Sequence, residues 1–582
     1  MRAGVFALAG LLGLVGACRA DEADEARAAT TGAGSPTEPA SASATPLAIP
    51  GADGVVPEQV TYTEHVAPLI LARCASCHRP GQVAPFALLD EADVRDHAEQ
   101  IVEVTGSRFM PPWKPVPGHG EFAGDRSLTP AQIEIFARWV AAGTPTGPEH
   151  ARPPVPEFGE GWLGGEPDLV LNLDEPYELG GEGLDRYRNF VIPAGVDRKL
   201  WVRGWELDPG NPKVVHHAIL SVDRGGWARD QDAADPGPGF EAMEAVGGQS
   251  PNGFYLVWAP GTVPTLASEG TAWSLGPGTD LILQLHLQPS GKPEAVAPRI
   301  GLYLTDAPPT RPGLTLRVGD APIDIAPGDA DYVMTDTLEL AADATLLSVF
   351  PHAHYLARSV EIRATLPDGS ERWLLDIADW DFAWQDQYRY REGVALPAGT
   401  RVDLAIRYDN SAANPRNPHA PPRRVVTGPN STDEMGNATF EVLPHDRAGL
   451  LALREAKYRR ELRFGASATG HYNLANVLRD RGELAAAEAE YQAALALDPE
   501  HLWSLHNLSM LLQQARRFDE AIAVAEREVA VTPKAAAAHT NLGNALRGSG
   551  RTEDAVAAFR QALVLDPEFA LARNSLRAMG VD

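Results

Sequence analysis

The C-terminal part of the chain repeats itself every 34 residues, and this period restricts its fold more than any other feature of the sequence. Three Xaa-Pro pairs keep this step: Asp498-Pro499, Thr532-Pro533 and Asp566-Pro567. A leucine and an alanine in each unit keep it as well: Leu474, Leu508, Leu542, Ala487, Ala521 and Ala555. Small residues let paired helices approach closely, and a proline ends each unit because it cannot continue a helix. The period therefore predicts a stack of helix pairs over residues 468–582.

This pattern resembles the tetratricopeptide repeat, a helix pair that stacks into a solenoid. The resemblance covers residues 468–582 and implies a groove that binds a protein partner. A solenoid that only extends the fold is the alternative interpretation. We expect a helix over residues 447–467 to link the repeats to the preceding domain.

The N-terminus has the pattern of an export signal. An apolar run over Val5–Val15 is too short to span a bilayer and is typical of a signal peptide, here residues 1–17. The run is followed by Gly16-Ala17-Cys18, which resembles the lipobox of bacterial lipoproteins and implies that Cys18 is acylated. An ordinary signal peptide with a chance cysteine is the alternative. Both interpretations place the protein outside the cytoplasm, on the periplasmic or cell-surface side.

Composition narrows the choice of partners. The 50 basic and 78 acidic residues give a formal charge of −28, which argues against nucleic-acid binding and against broad adhesion to anionic lipid. We therefore expect membrane contact through the lipid anchor only. Residues 18–57 are rich in Ala, Thr, Ser, Pro and Glu without an apolar period, so they are predicted to be a disordered tether.

A CxxCH motif at Cys74, Cys77 and His78 predicts a covalent cofactor. Two thiols one helical turn apart can add to both vinyl groups of a haem, and the next residue offers its imidazole to the iron. The motif therefore predicts one covalent c-type haem with His78 as an iron ligand, in an all-α domain over residues 58–148. A redox-active dithiol and half of a zinc site are the alternatives. A zinc site would require a second Cys/His pair at short spacing, and none follows.

Met110 is the expected second axial ligand of the iron. It lies in RFMPPW at 108–113, a segment stiffened by two prolines that resembles the distal methionine loop of class I cytochromes c. A thioether ligand raises the reduction potential and completes the coordination sphere, so the resemblance implies electron transfer rather than gas binding. The rival ligands are His65, His97 and His119.

The pattern changes between residues 157 and 446. Proline, glycine and aspartate punctuate short alternating runs such as 280–288, which is typical of β-strands. We expect two all-β, jelly-roll-like sandwich domains over residues 157–305 and 306–446. The predicted fold class is therefore multi-domain, with an all-α haem domain, two β-sandwiches and an all-α repeat region.

Five histidines of this region fall into three groups beside apolar runs: His216-His217, His286, and His352-Ala353-His354. In an extended chain His352 and His354 project to one face and can share a metal ion. His216 and His217 would project to opposite faces, so joint ligation requires a β-bulge or a strand end. Any one group is more commonly structural than a ligand, and nitrogen ligands fit zinc and copper equally well.

The order of these groups, followed by 433-DEMGN-437, resembles the copper type II, ascorbate-dependent monooxygenase family. That family includes peptidylglycine α-hydroxylating monooxygenase and dopamine β-monooxygenase. The resemblance spans residues 160–445 and implies two copper ions. Its electron-transfer copper matches His216, His217 and His286. Its oxygen-binding copper matches His352, His354 and Met435.

The residue types suit the two roles. Three imidazoles tolerate both copper oxidation states, whereas two imidazoles and a soft thioether favour Cu(I), which reacts with oxygen. The resemblance also places Gln284 and Asn437 beside the ligands or in the substrate pocket. An arginine that binds the substrate carboxylate in peptide-processing relatives is Phe350 here, and an expected tyrosine is Thr439. Peptidylglycine is therefore not the expected substrate, and Phe350 favours an apolar one.

Together these features predict an exported copper- and haem-dependent monooxygenase. It would hydroxylate a C–H bond of an unknown small molecule with molecular oxygen, using electrons relayed from the haem through the three-histidine copper. The first alternative is a non-catalytic electron-transfer or copper-handling protein with a partner-binding repeat domain. The second is an assembly module in which the repeats recruit a partner that the redox domains sense.

Overall fold

The computed structural model describes residues 49–581 apart from short gaps: Gly81, Val83, 157–160, Leu184, 243–250, Val263, Thr265, 268–269, Asp320 and Pro429. The predicted signal peptide, the acylation site Cys18 and most of the predicted tether lie outside the described residues. Among the helices of the described part, none has both the length and the hydropathy that crossing a bilayer requires.

The first folded unit is helical. Its described part has a π-helical turn at Tyr62–Val66, a short 3₁₀ turn at Glu149–Ala151, and the helices α1 (Ala67–Arg73), α2 (Glu91–Asp96), α3 (Ala98–Gly106) and α4 (Pro130–Ala141). Helix α4 begins with a capping box in which Thr129 and Gln132 satisfy each other's backbone N–H groups. The largest buried side chains of this unit are Tyr62, Leu69, Ile70, Ile135, Phe136 and Trp139.

The predicted tether ends before residue 57. The Thr129 hydroxyl donates to the Gly51 carbonyl at 2.8 Å, and the Gln132 amide donates to the Pro50 carbonyl at 3.3 Å. Ile49 and Val56 pack against the helical core. The prediction of disorder is therefore wrong for residues 49–57, because the start of α4 offers this segment hydrogen-bond partners that composition does not reveal.

The next region is β-rich, as predicted, and its first half contains eleven strands in the described part: β1 (Leu169–Asn172), β2 (Tyr177–Leu179), β3 (Arg186–Pro193), β4 (Leu200–Asp208), β5 (Val215–Asp223), β6 (Phe240–Glu241), β7 (Leu256–Trp258), β8 (Trp273–Leu275), β9 (Asp280–Leu287), β10 (Glu294–Val296) and β11 (Arg299–Thr305). Helix α5 (Trp227–Ala234) follows β5, and a 3₁₀ turn at Pro251–Gly253 precedes β7. The sheets have the orders β1-β11-β4-β8 and β6-β3-β9-β5-β7, and β10 pairs with β2. Side chains of both sheets share one core, so the two sheets pack face to face.

The second half repeats this architecture with the described strands β12 (Leu314–Val318), β13 (Asp324–Ile325), β14 (Tyr332–Glu339), β15 (Ala344–Ala353), β16 (Ala357–Thr365), β17 (Glu371–Ile377), β18 (Tyr388–Leu396), β19 (Arg401–Tyr408), β20 (Val425–Val426) and β21 (Gly436–Pro444). A 3₁₀ turn at Phe382–Trp384 lies between β17 and β18. The sheet orders are β12-β21-β15-β18 and β14-β19-β16-β17, and β13 pairs with β20. A single core again lies between the sheets.

The segment that follows Met110 docks on the second β half. Phe122 belongs to the core of that half, and Trp113 makes an edge contact with Tyr388 at a ring-centroid distance of 5.4 Å. The Val116 N–H donates to the Asp376 carbonyl at 2.8 Å. The predicted helical domain over residues 58–148 therefore shares a hydrophobic core with the second β half, a long-range contact that local pattern cannot predict.

The C-terminal region is all-helical, and the predicted helix pairs are confirmed. Helix α6 (Arg447–Phe464) packs on β21 and precedes α7 (Ala468–Asp480), α8 (Leu484–Leu497), α9 (Leu502–Gln514), α10 (Phe518–Val531), α11 (Ala536–Gly548), α12 (Thr552–Leu565) and α13 (Ala570–Ala578). The periodic alanines Ala487, Ala521 and Ala555 are fully buried. A small side chain at each of these positions lets the two helices of a pair come together.

Candidate metal centres

A β-bulge brings His216 and His217 to the same place. Val215 pairs with Leu287 across β5 and β9, and His217 pairs with His286, so His216 is the additional residue of the bulge. The Nδ1 atoms of His216 and His217 are 3.1 Å apart, and those of His286 and His217 are 3.3 Å apart. The bulge therefore meets the condition for joint ligation that a regular strand would not.

Hydrogen bonds explain only part of this convergence. The Nε2 atom of His286 lies 3.0 Å from a carboxylate oxygen of Asp185, to which it donates, so its Nδ1 atom carries a lone pair. At most one of the remaining rings can donate into the cluster, which leaves lone pairs facing one another. A metal ion at the centre would accept all three lone pairs, and the donor set fits a cation such as copper or zinc.

The surroundings favour neutral, oriented imidazoles. Burial lowers the pKa of His216 to about 3, and burial together with the neighbouring histidines lowers the pKa of His217. Asp185 also accepts a hydrogen bond from the Ser431 hydroxyl at 2.6 Å. The Nε2 atom of His216 is buried and forms no hydrogen bond of ordinary geometry within the described part, although the Phe382 backbone lies near it.

The second histidine pair lies on β15 beside β21. His352 is paired with Asn437 and Ala353 with Gly436. His354 directly follows β15 and Met435 directly precedes β21, so both lie just beyond the paired ends of these strands. The Nδ1 atom of His352 contacts the Gln385 side-chain oxygen at 2.7 Å, and the Nδ1 atom of His354 contacts the Asp433 carbonyl at 3.1 Å. When each Nδ1–H donates to its oxygen, each Nε2 atom is left to bind a metal.

Glu434 holds the backbone of this second cluster. Its carboxylate accepts N–H groups of His354 at 3.0 Å, Leu356 at 2.6 Å and Met435 at 3.2 Å. The side chain is fully buried, and burial raises its pKa to about 8 against the pull of these donors. Glu434 thus fixes the backbone of a histidine and of the methionine at the same time.

We expect Glu434→Leu to lower the free energy of unfolding by about 3 kcal/mol or more, because three buried N–H groups lose their acceptor at about 1–3 kcal/mol each. Denaturant unfolding of metal-free protein measures this change. Glu392→Leu, an exposed position on β18, is the matched control and should change stability by about 0.5 kcal/mol or less. Equal effects of the two substitutions would contradict the assigned role of Glu434.

One aromatic ring separates the two histidine clusters. Phe382, which is 4% exposed, stacks on His216 at a centroid distance of 4.7 Å and makes an edge contact with His354 at 5.7 Å. Tyr355 packs on the same ring at 4.5 Å. The five histidines that the sequence singled out therefore lie in one continuous region, in which His286 and His354 are buried and the other three are half-buried. Phe382 contacts a histidine of each cluster.

Asn437 and Gln284, the two polar residues predicted near the ligands, have different surroundings. Asn437 is buried directly across the strands from His352. Gln284 is on β9, two residues before His286, and donates to the Asn189 side chain at 3.1 Å and to the Ala242 carbonyl at 3.2 Å. Asn437 therefore borders the second cluster, whereas these contacts of Gln284 hold β3 and the segment after β6.

Phe350 and Thr439 face each other next to the second cluster. They pair across β15 and β21, on the same strand face as His352. Tyr255 of the first sandwich packs on the Phe350 ring at 5.5 Å, and Arg317 of β12 pairs with Thr439. The surface next to the second cluster is therefore lined by two aromatic rings on the Phe350 side.

The CxxCH segment forms a helical turn. The N–H groups of Cys77 and His78 both donate to the Cys74 carbonyl, at 3.1 and 2.9 Å. The two cysteines are free thiols, and burial raises the pKa of the Cys74 thiol to about 12. The Nδ1 atom of His78 lies 3.3 Å from the Phe86 carbonyl, so donation there leaves Nε2 for a ligand. This arrangement fits thioether attachment of haem with axial ligation by His78.

The candidates for the other axial position have different surroundings. Met110 lies after α3, where its N–H donates to the Val104 carbonyl at 3.0 Å. His119 forms a 2.6 Å contact with the Asp376 carboxylate and stacks on Trp373 of the second sandwich. His65 caps its own turn at Thr61, and His97 stacks on Phe86 at 3.9 Å. His65 accepts a hydrogen bond at Nδ1, and His119 packs against the second sandwich. Met110 and His97, whose Nδ1 atom contacts the Asp93 carbonyl at 2.8 Å, stay candidates.

Sequence reasoning missed four residues that complete these centres: Asp185, Phe382, Gln385 and Glu434. Asp185 and Phe382 reach the histidines from segments distant in the chain, and no local pattern marks them. Glu434 had a signal, because an acidic residue directly before a ligand, between two strands with apolar runs, is a candidate for a buried carboxylate.

Comparison with known proteins identifies one region of the chain. Family models described as tetratricopeptide repeat match residues 466–534 and 506–570. The C-terminal region consists of tetratricopeptide repeats. No curated protein matches the chain.

Several solved repeat structures are similar over about a fifth of the chain. "YrrB: a TPR protein with an unusual peptide-binding site" is 21% identical over 22% of this chain and 68% of its own, with a TM-score of 0.21. The "first TPR of Spaghetti (RPAP3) bound to HSP90 peptide SRMEEVD" is 21% identical over 19% and 90%, with a TM-score of 0.19. MamA is 24% identical over 21% and 72%, with a TM-score of 0.20.

Proposed function

We propose that the protein is an exported copper- and haem-dependent monooxygenase that hydroxylates a C–H bond of a small apolar molecule with molecular oxygen. The observation that carries the proposal is the convergence of the three Nδ1 atoms at the β5 bulge, one aromatic ring away from His352 and His354. A three-nitrogen cluster beside a pair of imidazoles and a thioether-bearing strand matches the donor sets of an electron-relay copper and an oxygen-binding copper.

The surrounding residues orient and isolate the copper ligands. When bound, copper supplies a one-electron redox couple at each cluster and activates oxygen at the cluster that includes Met435. Asp185 holds the proton of His286 at Nε2, while Gln385 and the Asp433 carbonyl hold those of His352 and His354 at Nδ1. These bonds keep the opposite ring nitrogens basic and correctly turned.

Apolar side chains complete the site. The buried Phe382 ring contacts a histidine of each cluster. Phe350 and Tyr255 provide an aromatic wall on the strand face of His352. A wall of this kind favours a substrate whose reacting carbon lies in an apolar group.

The helical unit is proposed to be a cytochrome c domain. Cys74 and Cys77 would hold the haem through thioether bonds, His78 would bind its iron, and Met110 is the proposed second ligand. The proposed role of this domain is to deliver electrons to the copper clusters. An N-terminal export signal and acylation at Cys18 would keep the protein at the outer face of the cytoplasmic membrane.

The repeat region is proposed to bind a protein partner. A groove lined by α6, α7 and α9 has Tyr458, Tyr472 and Trp503 on its walls together with polar side chains such as Asn473 and Asn476. Aromatic walls with amide side chains suit a peptide, because the amides can bond to its backbone. Such a partner would place the redox domains near another component of an electron-transfer or substrate-supply system.

Oxygen consumption by copper-loaded protein with ascorbate as reductant tests the enzyme proposal. We expect uptake by the wild-type chain, loss of uptake in His352→Ala, and unchanged uptake in His445→Ala, an exposed position at the end of the same sandwich. Uptake that survives His352→Ala would overturn the proposal. Copper binding without any uptake would favour the alternative, a non-catalytic electron-transfer or copper-handling protein.

A further inference from the structure

The segment Asp381–Gln387, between β17 and β18, contacts both histidine clusters. Phe382 stacks on His216 and meets the edge of His354. Three residues later, the Gln385 side-chain oxygen accepts from the His352 ring at 2.7 Å, and the Gln385 amide donates to the Phe382 carbonyl at 3.1 Å. One short turn thus touches a ligand of the first cluster and both histidines of the second.

The same segment is also the contact surface for the helical unit. Trp384 makes an edge contact with Phe109 at a centroid distance of 5.9 Å, and Phe109 directly precedes Met110. The Arg126 guanidinium bonds to the Asp386 carboxylate at 3.0 Å, and Lys114 lies 3.8 Å from Asp381. Two ion pairs therefore flank the Phe109–Trp384 contact and hold it in place.

The geometry points to Asp381–Gln387 as the electron bridge between the haem domain and the copper clusters, an inference that rests on the proposed function. In each transfer a ferrous haem iron loses one electron and becomes ferric, and a cupric ion gains that electron and becomes cuprous. No covalent bond forms or breaks, and no proton moves. Trp384 is the entry residue, and Phe382 passes the electron to the three-histidine cluster through its stack on His216.

Close contact and rigidity both favour this path. Electronic coupling falls steeply with each through-space gap, so a path of touching rings and hydrogen bonds transfers electrons faster than one across solvent. The bridge is fixed as well, because Phe382 and Gln385 are 4% and 5% exposed. Groups that need little reorganisation perform such steps best.

The helical unit has a second contact that competes with this path. A Cβ atom placed on Gly261 of the first sandwich would lie 3.9 Å from the Cys77 sulfur, and Arg126 donates to the Gly261 carbonyl at 3.0 Å. From Gly261 the chain leads back into β7, where Trp258 pairs with Ala218 beside His217, so this contact is a rival route to the first cluster. The Trp384 segment differs in that one of its own rings, Phe382, stacks directly on a candidate ligand.

Anaerobic stopped-flow spectroscopy tests the bridge. Copper(II)-loaded protein with ferric haem is mixed with less than one equivalent of dithionite, and the ferrous haem absorbance is followed as it decays while the Cu(II) electron paramagnetic resonance signal is lost. We expect Trp384→Leu to slow this decay severalfold and Trp384→Phe to retain most of the rate. Copper and haem contents are measured for each variant.

Trp373→Leu is the matched control, because Trp373 makes an aromatic contact between the same two domains through His119 but lies outside the bridge. Its decay should equal that of the wild type. Equal slowing by Trp373→Leu and Trp384→Leu would show that Trp384 only helps to hold the two domains together, and this result would overturn the bridge. An unchanged rate in Trp384→Leu would overturn it in favour of the Gly261 contact. Absence of decay in the wild-type chain would overturn the haem part of the proposed function together with the bridge.

Discussion

Replacing His286 with alanine will lower the copper content of the purified protein by one ion per chain. His286 is fully buried, and its Nδ1 atom is one of three that converge at the β5 bulge. Two remaining imidazoles cannot hold a copper ion as tightly as three, whereas the ligands of the second cluster are unchanged. Metal analysis after dialysis against a weak chelator, together with the Cu(II) electron paramagnetic resonance spectrum, measures the loss.

Asp185→Asn is a milder substitution that tests the same cluster. The amide removes the negative charge beside His286 and no longer fixes its tautomer, so copper affinity at this cluster should fall by about 10–100-fold without abolishing binding. His150→Ala, at an exposed position of the helical unit, should leave the copper content unchanged. Full copper content in His286→Ala would show that the histidines form a hydrogen-bonded core and not a metal site.

The sequence was sufficient to single out the candidate ligands but not the residues that contact them. The order of the histidine groups and the 433-DEMGN-437 segment selected five imidazoles, and the fold brings all five into one region, where His286 and His354 are buried and the other three are half-buried. The requirement for a bulge at His216 followed from strand geometry alone, because adjacent residues of a regular strand face opposite ways. Alternation and spacing are local properties of the sequence, and the choice of the histidines and the need for a bulge both follow from them.

The parts that could not be predicted depend on contacts distant in the chain. Asp185 reaches His286 over 101 residues, and His119 reaches Asp376 over 257. Phe382 is one of many phenylalanines in the sequence, and only the packing of the two sandwiches places its ring between the clusters. The helical unit was predicted as a separate domain, yet its segment around Phe122 enters the core of the second β half. No pattern of period two or 3.6 encodes such docking.

Replacing both Cys74 and Cys77 with alanine will abolish covalent haem attachment. The two cysteines lie one helical turn apart, and each would supply one of the two thioether bonds, which survive denaturation. In a host that matures c-type cytochromes, the wild-type chain should keep a haem band on a denaturing gel, and the double variant should lose it completely. Either single variant should keep a weaker band, because one thioether still forms.

The two alternative chemistries of the same motif give different results in that experiment. A redox-active dithiol would yield a wild-type chain without haem whose cysteines form a reducible disulfide, and half of a zinc site would yield zinc in place of iron. Met110→Ala adds a test that only haem can pass, because loss of a thioether ligand lowers the reduction potential while the covalent band is retained. A wild-type chain with neither a haem band nor iron would remove the electron source on which the haem-to-copper route depends, while the copper clusters would keep their own reductant, such as ascorbate.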